Sequence, residues 1–229
     1  MDSKKAQQII KQNKRSYNEI AEDFSRTRGN LWSELKKFKQ YVSDEDRILD
    51  VGCGNGRLSL LFKDKDVQYV GVDNSEELIK IARKRNSNYD FQKGTIFDLP
   101  FSSNKFDKVF TIAVLHHIPS EKYRIKSLSE LYRVLKSSGK LILTTWSKTP
   151  FNLFLFRLKG WLRKVFTNND LEPGDYVKKW GGQKELYYHF YTKKELVNLI
   201  KKAGFKVIDS GRLYSADKRR KNLYVVAQK

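Results

Sequence analysis

Three glycines spaced G-x-G-x-G in the segment DVGCGNG (residues 50–56) constrain this chain more than any other feature, because of what surrounds them. The apolar-ended stretch RILDV leads in, the apolar run LSLLF leads out, and Asp73 ends the next strand-like stretch, VQYVGVD. A tight turn between strand and helix needs residues without a Cβ, so that backbone amides can approach a ligand. Gly52, Gly54 and Gly56 meet that need, and the acid about 20 residues on is placed for ribose hydroxyls. The pattern reads as a nucleoside-binding βαβ unit.

The spacing also ranks cofactors. Dinucleotide sites prefer G-x-G-x-x-G, in which a helix N-terminus receives a pyrophosphate. Here an acid, Asp50, stands directly before the turn, where it repels a diphosphate and welcomes an ammonium group. The expected ligand is zwitterionic and phosphate-free, with a ribose held by Asp73. S-adenosylmethionine fits that description.

A chain of 229 residues buries one good core, so one domain with decorations is expected. Hydrophobic content of 39% and charged content of 31% suit a globular protein. A single cysteine, Cys53, excludes an internal disulfide and argues against a zinc cluster, and no metal site is expected. The opening MDSKKAQQIIKQNKR lacks the apolar centre of a signal peptide, and no apolar run reaches the ~18 residues of a membrane span. A cytoplasmic location is the expectation.

Charge is the second constraint. Lys and Arg number 46 against 26 Asp and Glu, a formal net charge of +20. Solubility asks for far less, which points to an anionic partner. The excess is uneven: residues 148–229 carry 19 basic and 7 acidic side chains, residues 48–147 carry 16 and 11. Aromatic residues interleave with the basic ones in KKWGGQKELYYHFYTKK (residues 178–194), a mixture suited to phosphate attraction and base stacking in RNA.

Residues 4–40 read as two or three amphipathic helices, with Tyr17, Ile20, Ala21 and Phe24 at helical spacing. Strand-like runs follow at 47–51, 67–72, 89–92, 106–112, 140–146, 206–213 and 223–227, with helical patterns between most of them, such as 76–85 and 123–135. Gly139 is read as lying just past the second of these helices, in the turn KSSGK. The alternation predicts an α/β fold: a doubly wound, seven-stranded, mostly parallel Rossmann-like sheet with a helical N-terminal extension. The polar stretch SADKRRKN between the last two strands predicts an antiparallel pair, so the last strand is antiparallel. The basic, aromatic segment at 148–166 predicts an inserted helical lid over the substrate pocket, with a membrane-surface helix as the rival.

On the residues DVGCGNG, VGVDNS, GTIFDLPF and IAVLHHIP, the chain resembles the class I S-adenosylmethionine-dependent methyltransferases over nearly its whole length. YNEIAEDFSRTRGNLW (residues 17–32), DYVKKW (175–180) and YYHFYTKKEL (187–196) are similar to motifs of the tRNA methyltransferases that esterify a 5-carboxymethyl group on the wobble uridine. Leu186 stands where that family has an arginine, Lys178-Lys179 where it has Val-Pro, and Asn30-Leu31 where it has Lys-Pro.

The resemblance implies a single methyltransferase domain over 1–229, with N-terminal helices at 1–42 and a substrate-side insertion at 148–191. It implies a cofactor site made by Tyr17, Asp50, Gly52, Gly54, Asp73, Asn74, Ile96, Asp98 and Ala113. Thr95 occupies the place of a common family acid, so Asp98 or the backbone at Ile96 is expected at the adenine amino group. Arg28, His116, Trp146, Asp175, Trp180, Tyr188 and His189 are the expected substrate residues, with structural roles as the alternative for each. An already ionised carboxylate needs no strong base, so no catalytic residue is named. The implied partners are tRNA and a small zinc-containing activator protein. A small metabolite, quinone or lipid-like acceptor, or a non-catalytic RNA- or protein-binding module, stay open as other readings.

Overall fold

Every central strand carries apolar side chains on both faces, which is what a sheet covered on both sides by helices requires. In the computed structural model, which describes residues 1–147, 150–167, 171–180, 184–215 and 221–229, the elements run as follows. Helices α1 (Ser3–Glu19) and α2 (Ala21–Thr27) and a 3-10 stretch, Ser33–Tyr41, precede β1 (Arg47–Val51). A second 3-10 stretch, Arg57–Phe62, leads to β2 (Gln68–Asp73), α3 (Glu76–Arg85), β3 (Asp90–Lys93) and β4 (Phe106–Ile112). A short 3-10 turn, Leu115–His117, is followed by α4 (Glu121–Val134), β5 (Leu135–Trp146) and α5 (Pro150–Thr167). The chain closes with β6 (Asp175–Trp180), β7 (Lys184–His189), α6 (Lys193–Lys202), β8 (Lys206–Tyr214) and β9 (Lys221–Gln228).

Seven strands form one sheet in the order β3-β2-β1-β4-β5-β9-β8. Strands β1 to β5 pair in parallel, and β9 lies antiparallel between β5 and β8. The expected mostly parallel sheet with an antiparallel last strand is what forms. Residues 216–220 of the predicted connecting turn lie outside the described residues. Successive side chains alternate between two cores: Leu49, Val109, Leu141, Leu143 and Val225 face one, and Ile48, Phe110, Ile142 and Val226 the other.

Three local features depart from expectation. The segment after β1 is a single 3-10 stretch rather than a full helix. Strand β5 starts at Leu135, because KSSG is absorbed as an irregularity within it: Phe106 pairs with Leu135, the next register pair is Lys108 with Lys140, and Ser138 takes φ 67°. Strands β6 and β7, which alternation of apolar residues did not mark, form a separate antiparallel hairpin.

Helix termini follow local chemistry. The Ser75 side chain caps α3 by accepting from the Leu78 amide, with Glu76 and Glu77 in the first turn and Arg83, Lys84 and Arg85 in the last, matching the helix dipole. Thr192 and Glu195 form a capping box at α6. Helix α1 docks on β7 through two buried polar side chains: the Tyr187 amide donates to Asn13 Oδ1 (2.9 Å) and Ser16 Oγ donates to the Glu185 carbonyl (2.9 Å), while Asn13 Nδ2 donates to the His117 carbonyl (3.1 Å). No helix among the described residues is long and apolar enough to cross a membrane.

Candidate active site

The strand order reverses between β1 and β4, and at such a switch point the carboxyl ends of the strands open a crevice. The turn after β1 fills one side of it. Gly52 adopts φ 77°, and a Cβ there would lie 2.3 Å from the Val114 side chain, so only glycine permits the approach of the β1 and β4 ends. Asp73, at the end of β2, ties the turn down. Its Oδ2 accepts from the Gly54 amide (2.9 Å) and its Oδ1 from the Ser75 amide (2.8 Å). A carboxylate has about four lone-pair sites, so two further donors such as ribose hydroxyls are accommodated.

Asp50 is 2% exposed and accepts one hydrogen bond, from Tyr69 Oη at 2.6 Å. Burial pushes its carboxyl up to about 7, against the lowering effect of the Tyr69 bond. A buried carboxylate so poorly compensated fits a ligand that brings an ammonium group. Asp50, Gly52, Gly54, Asp73, Asn74, Ile96, Ala113 and Tyr17 all line one cavity. Together they fit S-adenosylmethionine: glycine turn, ribose acceptor and a carboxylate in need of a cation. Asp98 is exposed and is not part of that wall, which at this point consists of Gly94, Ile96 and Phe97.

Arg28, His116, Trp146 and Tyr188 line the same cavity. The Trp146 and Tyr188 rings stack at 4.8 Å and 10°, and His116 lies 4.8 Å from Trp146 at 22°. The Trp146 amide donates to His116 Nδ1 (3.3 Å), so the ring proton resides on Nε2, a buried atom without a hydrogen-bond partner. Burial, then the neighbouring His117, holds His116 well below the usual histidine range, and the ring is neutral. His117 Nδ1 donates to the Tyr187 carbonyl (3.0 Å), which leaves Nε2 to accept from Tyr17 Oη (2.8 Å). Burial lowers His117 to about 4 and raises Tyr188 to about 12.

Asp175 and His189 are placed elsewhere. They belong to a buried ionic network beneath the β6–β7 hairpin and are not among the residues lining the cavity. His189 Nδ1 meets Asp175 Oδ1 at 2.6 Å and its Nε2 meets Glu195 Oε1 at 2.8 Å. Arg124 reaches Glu172 at 2.9 Å and Asp175 at 3.6 Å. Burial alone would raise the Asp175 carboxyl, but His189, Tyr187 and Arg124 outweigh it and hold it below the ordinary value. Glu172, Asp175 and His189 have the closeness of a metal site, yet the Arg124 guanidinium already supplies the cation. The Trp180 side chain lies outside the described residues.

Sequence reasoning missed Asn13, Phe24 and Arg57, all of which line the cavity. Asn13 and Phe24 lie four residues before and seven after Tyr17, helical spacings that put them beside it. Arg57 directly follows the last glycine of the turn.

Residues 42–204 match the family model described as a methyltransferase domain. The tRNA (carboxymethyluridine(34)-5-O)-methyltransferase of Schizosaccharomyces pombe is 30% identical over 230 residues, covering 93% of this chain and 94% of that protein. Some proteins of that name are much longer: one from Xenopus tropicalis, 35% identical, matches 57% of this chain but only 20% of its own length. Among solved structures, a SAM-dependent methyltransferase from Methanosarcina mazei is similar with TM-score 0.73 and 26% identity, over 87% of this chain and 98% of that one. A chain of the Haloferax volcanii complex between the Trm112 methyltransferase activator and its methyltransferase matches in fold (TM-score 0.66, 17% identity, 93% and 95% of the two chains). A glycine turn, a ribose-placed acid and a buried carboxylate at the switch point, in a chain with these relatives, identify it as a member of the S-adenosylmethionine-dependent methyltransferase family.

Proposed function

We propose that this methyltransferase esterifies the carboxylate of a 5-carboxymethyl group on the wobble uridine of tRNA. One observation carries the reading beyond its relatives: among the described residues, the substrate side of the cavity offers hydrogen-bond donors but no group free to take a proton at neutral pH. His117 has both ring nitrogens engaged, His116 presents only Nε2–H, and Tyr188 stays protonated. An amine or hydroxyl acceptor would have to lose a proton on methylation, whereas a carboxylate arrives ionised.

Bound S-adenosylmethionine supplies a methyl group on a sulfonium, electrophilic as it stands. The chain's own residues bind and orient. Asp50, Gly52, Gly54, Asp73, Asn74, Ile96, Ala113 and Tyr17 hold the cofactor. Arg28 and the neutral Nε2–H of His116 draw in the carboxylate, with Arg28 taking the part of the family arginine that Leu186 replaces. Leu186 is buried against Ile20 and Tyr188. Trp146 and Tyr188 offer ring faces to a uracil. Positioning and exclusion of water then lower the barrier by several kcal/mol without a base.

In this reading the chain is one methyltransferase domain with its substrate side built from the helices at 1–42 and the insertion at 148–191. It acts on tRNA in the cytoplasm, with a small zinc-containing activator protein as partner. The decisive experiment transfers labelled methyl from S-adenosylmethionine to tRNA from a strain lacking the gene, with the activator added. Alkali-labile label on the wobble uridine is the expected result. Alkali-stable label, or label confined to a lipid or small-molecule fraction, would overturn it.

A further inference from the structure

Among the described residues, five of the nine exposed large hydrophobic side chains lie on α5. Leu153 and Gly160 are buried, Phe156 packs edge-on against Phe190 (5.5 Å) and Tyr176 (5.8 Å), and Arg157 pairs with Glu195 of α6 (2.7 Å), so those positions hold the helix to β6, to the residue after β7 and to α6. The opposite arc is apolar and in water. Phe154 (64% exposed), Leu155, Leu158, Trp161 (52%) and Leu162 follow the spacing i, i+1, i+4, i+7, i+8, which places all five on one face. Half-exposed Tyr176 on β6, packed on Phe156, adds to the apolar surface of this region. The exposed charges on this side are basic: Lys159 lies on α5 and Lys178 on the same face of β6 as Tyr176, α5 contains no acid, and the exposed acid of the hairpin, Glu185, stands opposite Lys179 on the other face.

We infer that this face of α5 binds the surface of an anionic lipid bilayer, lying in the plane of the headgroups. Charge complementarity selects the occupant. A second copy of the chain would bring two basic rims together, which like-charge repulsion opposes. RNA matches the basic rim but has no surface for Leu155, Leu158 and Leu162, since bases stack on rings rather than on aliphatic chains. A folded protein partner needs a complementary patch of roughly 800 Å² on each side, and a single convex helix face is a poor half of such an interface. A bilayer asks for no shape match: acyl chains take the leucines, the headgroup zone takes Trp161 and Phe154, and anionic lipid takes the lysines. The inference is independent of the acceptor assigned above and places the enzyme, for part of its time, on a membrane surface.

The test floats the full chain with vesicles of phosphatidylcholine alone and of phosphatidylcholine with phosphatidylserine, beside the double variant Leu158→Glu, Trp161→Glu. Calorimetric binding of S-adenosylhomocysteine by the variant confirms that it is folded. The wild type should float with the anionic vesicles, poorly with the neutral ones, and the variant should bind at least about tenfold more weakly. Absence of flotation, or flotation unchanged in the variant, overturns the inference. So does a concentration-dependent dimer abolished by the double variant, which would assign the face to a second copy. Weakened tRNA binding by the variant without any vesicle binding by the wild type would assign it to RNA.

Discussion

Asp50 carries the clearest pH signature in the molecule. With its carboxyl raised to about 7 by burial, a large share of the free protein has this group protonated near neutrality. A ligand ammonium favours the ionised form, so binding expels a proton below about pH 7 and affinity rises with pH up to that point. The stability sign is the opposite: the contribution of the raised group to the free fold is full below the ordinary carboxylate value and is lost as pH climbs through about 7. Calorimetric titration with S-adenosylhomocysteine in buffers of different ionisation enthalpy should show this release between pH 6 and 7. Asp50→Asn should abolish the release and weaken binding at pH 8 by about 2 kcal/mol; an unchanged proton count would remove Asp50 from the site. The placing of Asp50 and Asp73 was legible in the sequence, because a glycine turn and an acid at the next strand end are separated by local geometry alone. The exposure of Asp98 was not legible, since the four-residue turn that carries it, closed by the Asp98 amide donating to the Thr95 carbonyl (3.2 Å), obeys no periodicity.

At the scale of elements, the β6–β7 hairpin shows how one motif divides between two tasks. Tyr188 faces the cavity, while its neighbours Tyr187 and His189 point into the ionic network, as alternation along a strand demands. Asp175 is the centre of that network, bonded by Tyr187 and His189 and near Arg124. Asp175→Ala should therefore destabilise the fold by about 3–5 kcal/mol by leaving buried charge unpaired, whereas loss of tRNA affinity at constant stability would mark it as a substrate residue instead. Chemical denaturation beside tRNA binding at a temperature where both proteins are folded separates the two. Motif resemblance could group Asp175, Tyr188 and His189, but which of them faces the cavity depends on the register of a hairpin that no apolar alternation announced.

For the whole molecule, the net charge of +20 is a statement about association rather than fold. If the basic third engages tRNA phosphates, the logarithm of affinity should fall linearly with the logarithm of salt concentration. Lys178→Glu with Lys179→Glu should reduce that slope by about 2 in filter binding; equal weakening at every salt concentration would mean a disturbed hairpin.

Sequence by itself determined the doubly wound sheet, the antiparallel last strand and the glycine turn with its two acids, because period-2 and period-3.6 patterning and turn chemistry act between residues near in the chain. Tertiary structure alone decided that α1 lies on β7 through Asn13 and Ser16, that Tyr17 closes on His117, that His116 is left with an unpartnered Nε2–H, and that α5 turns a leucine face to solvent. Those contacts join residues some 30 to 170 positions apart, or depend on which side of a helix finds something to pack against, and a linear pattern holds neither.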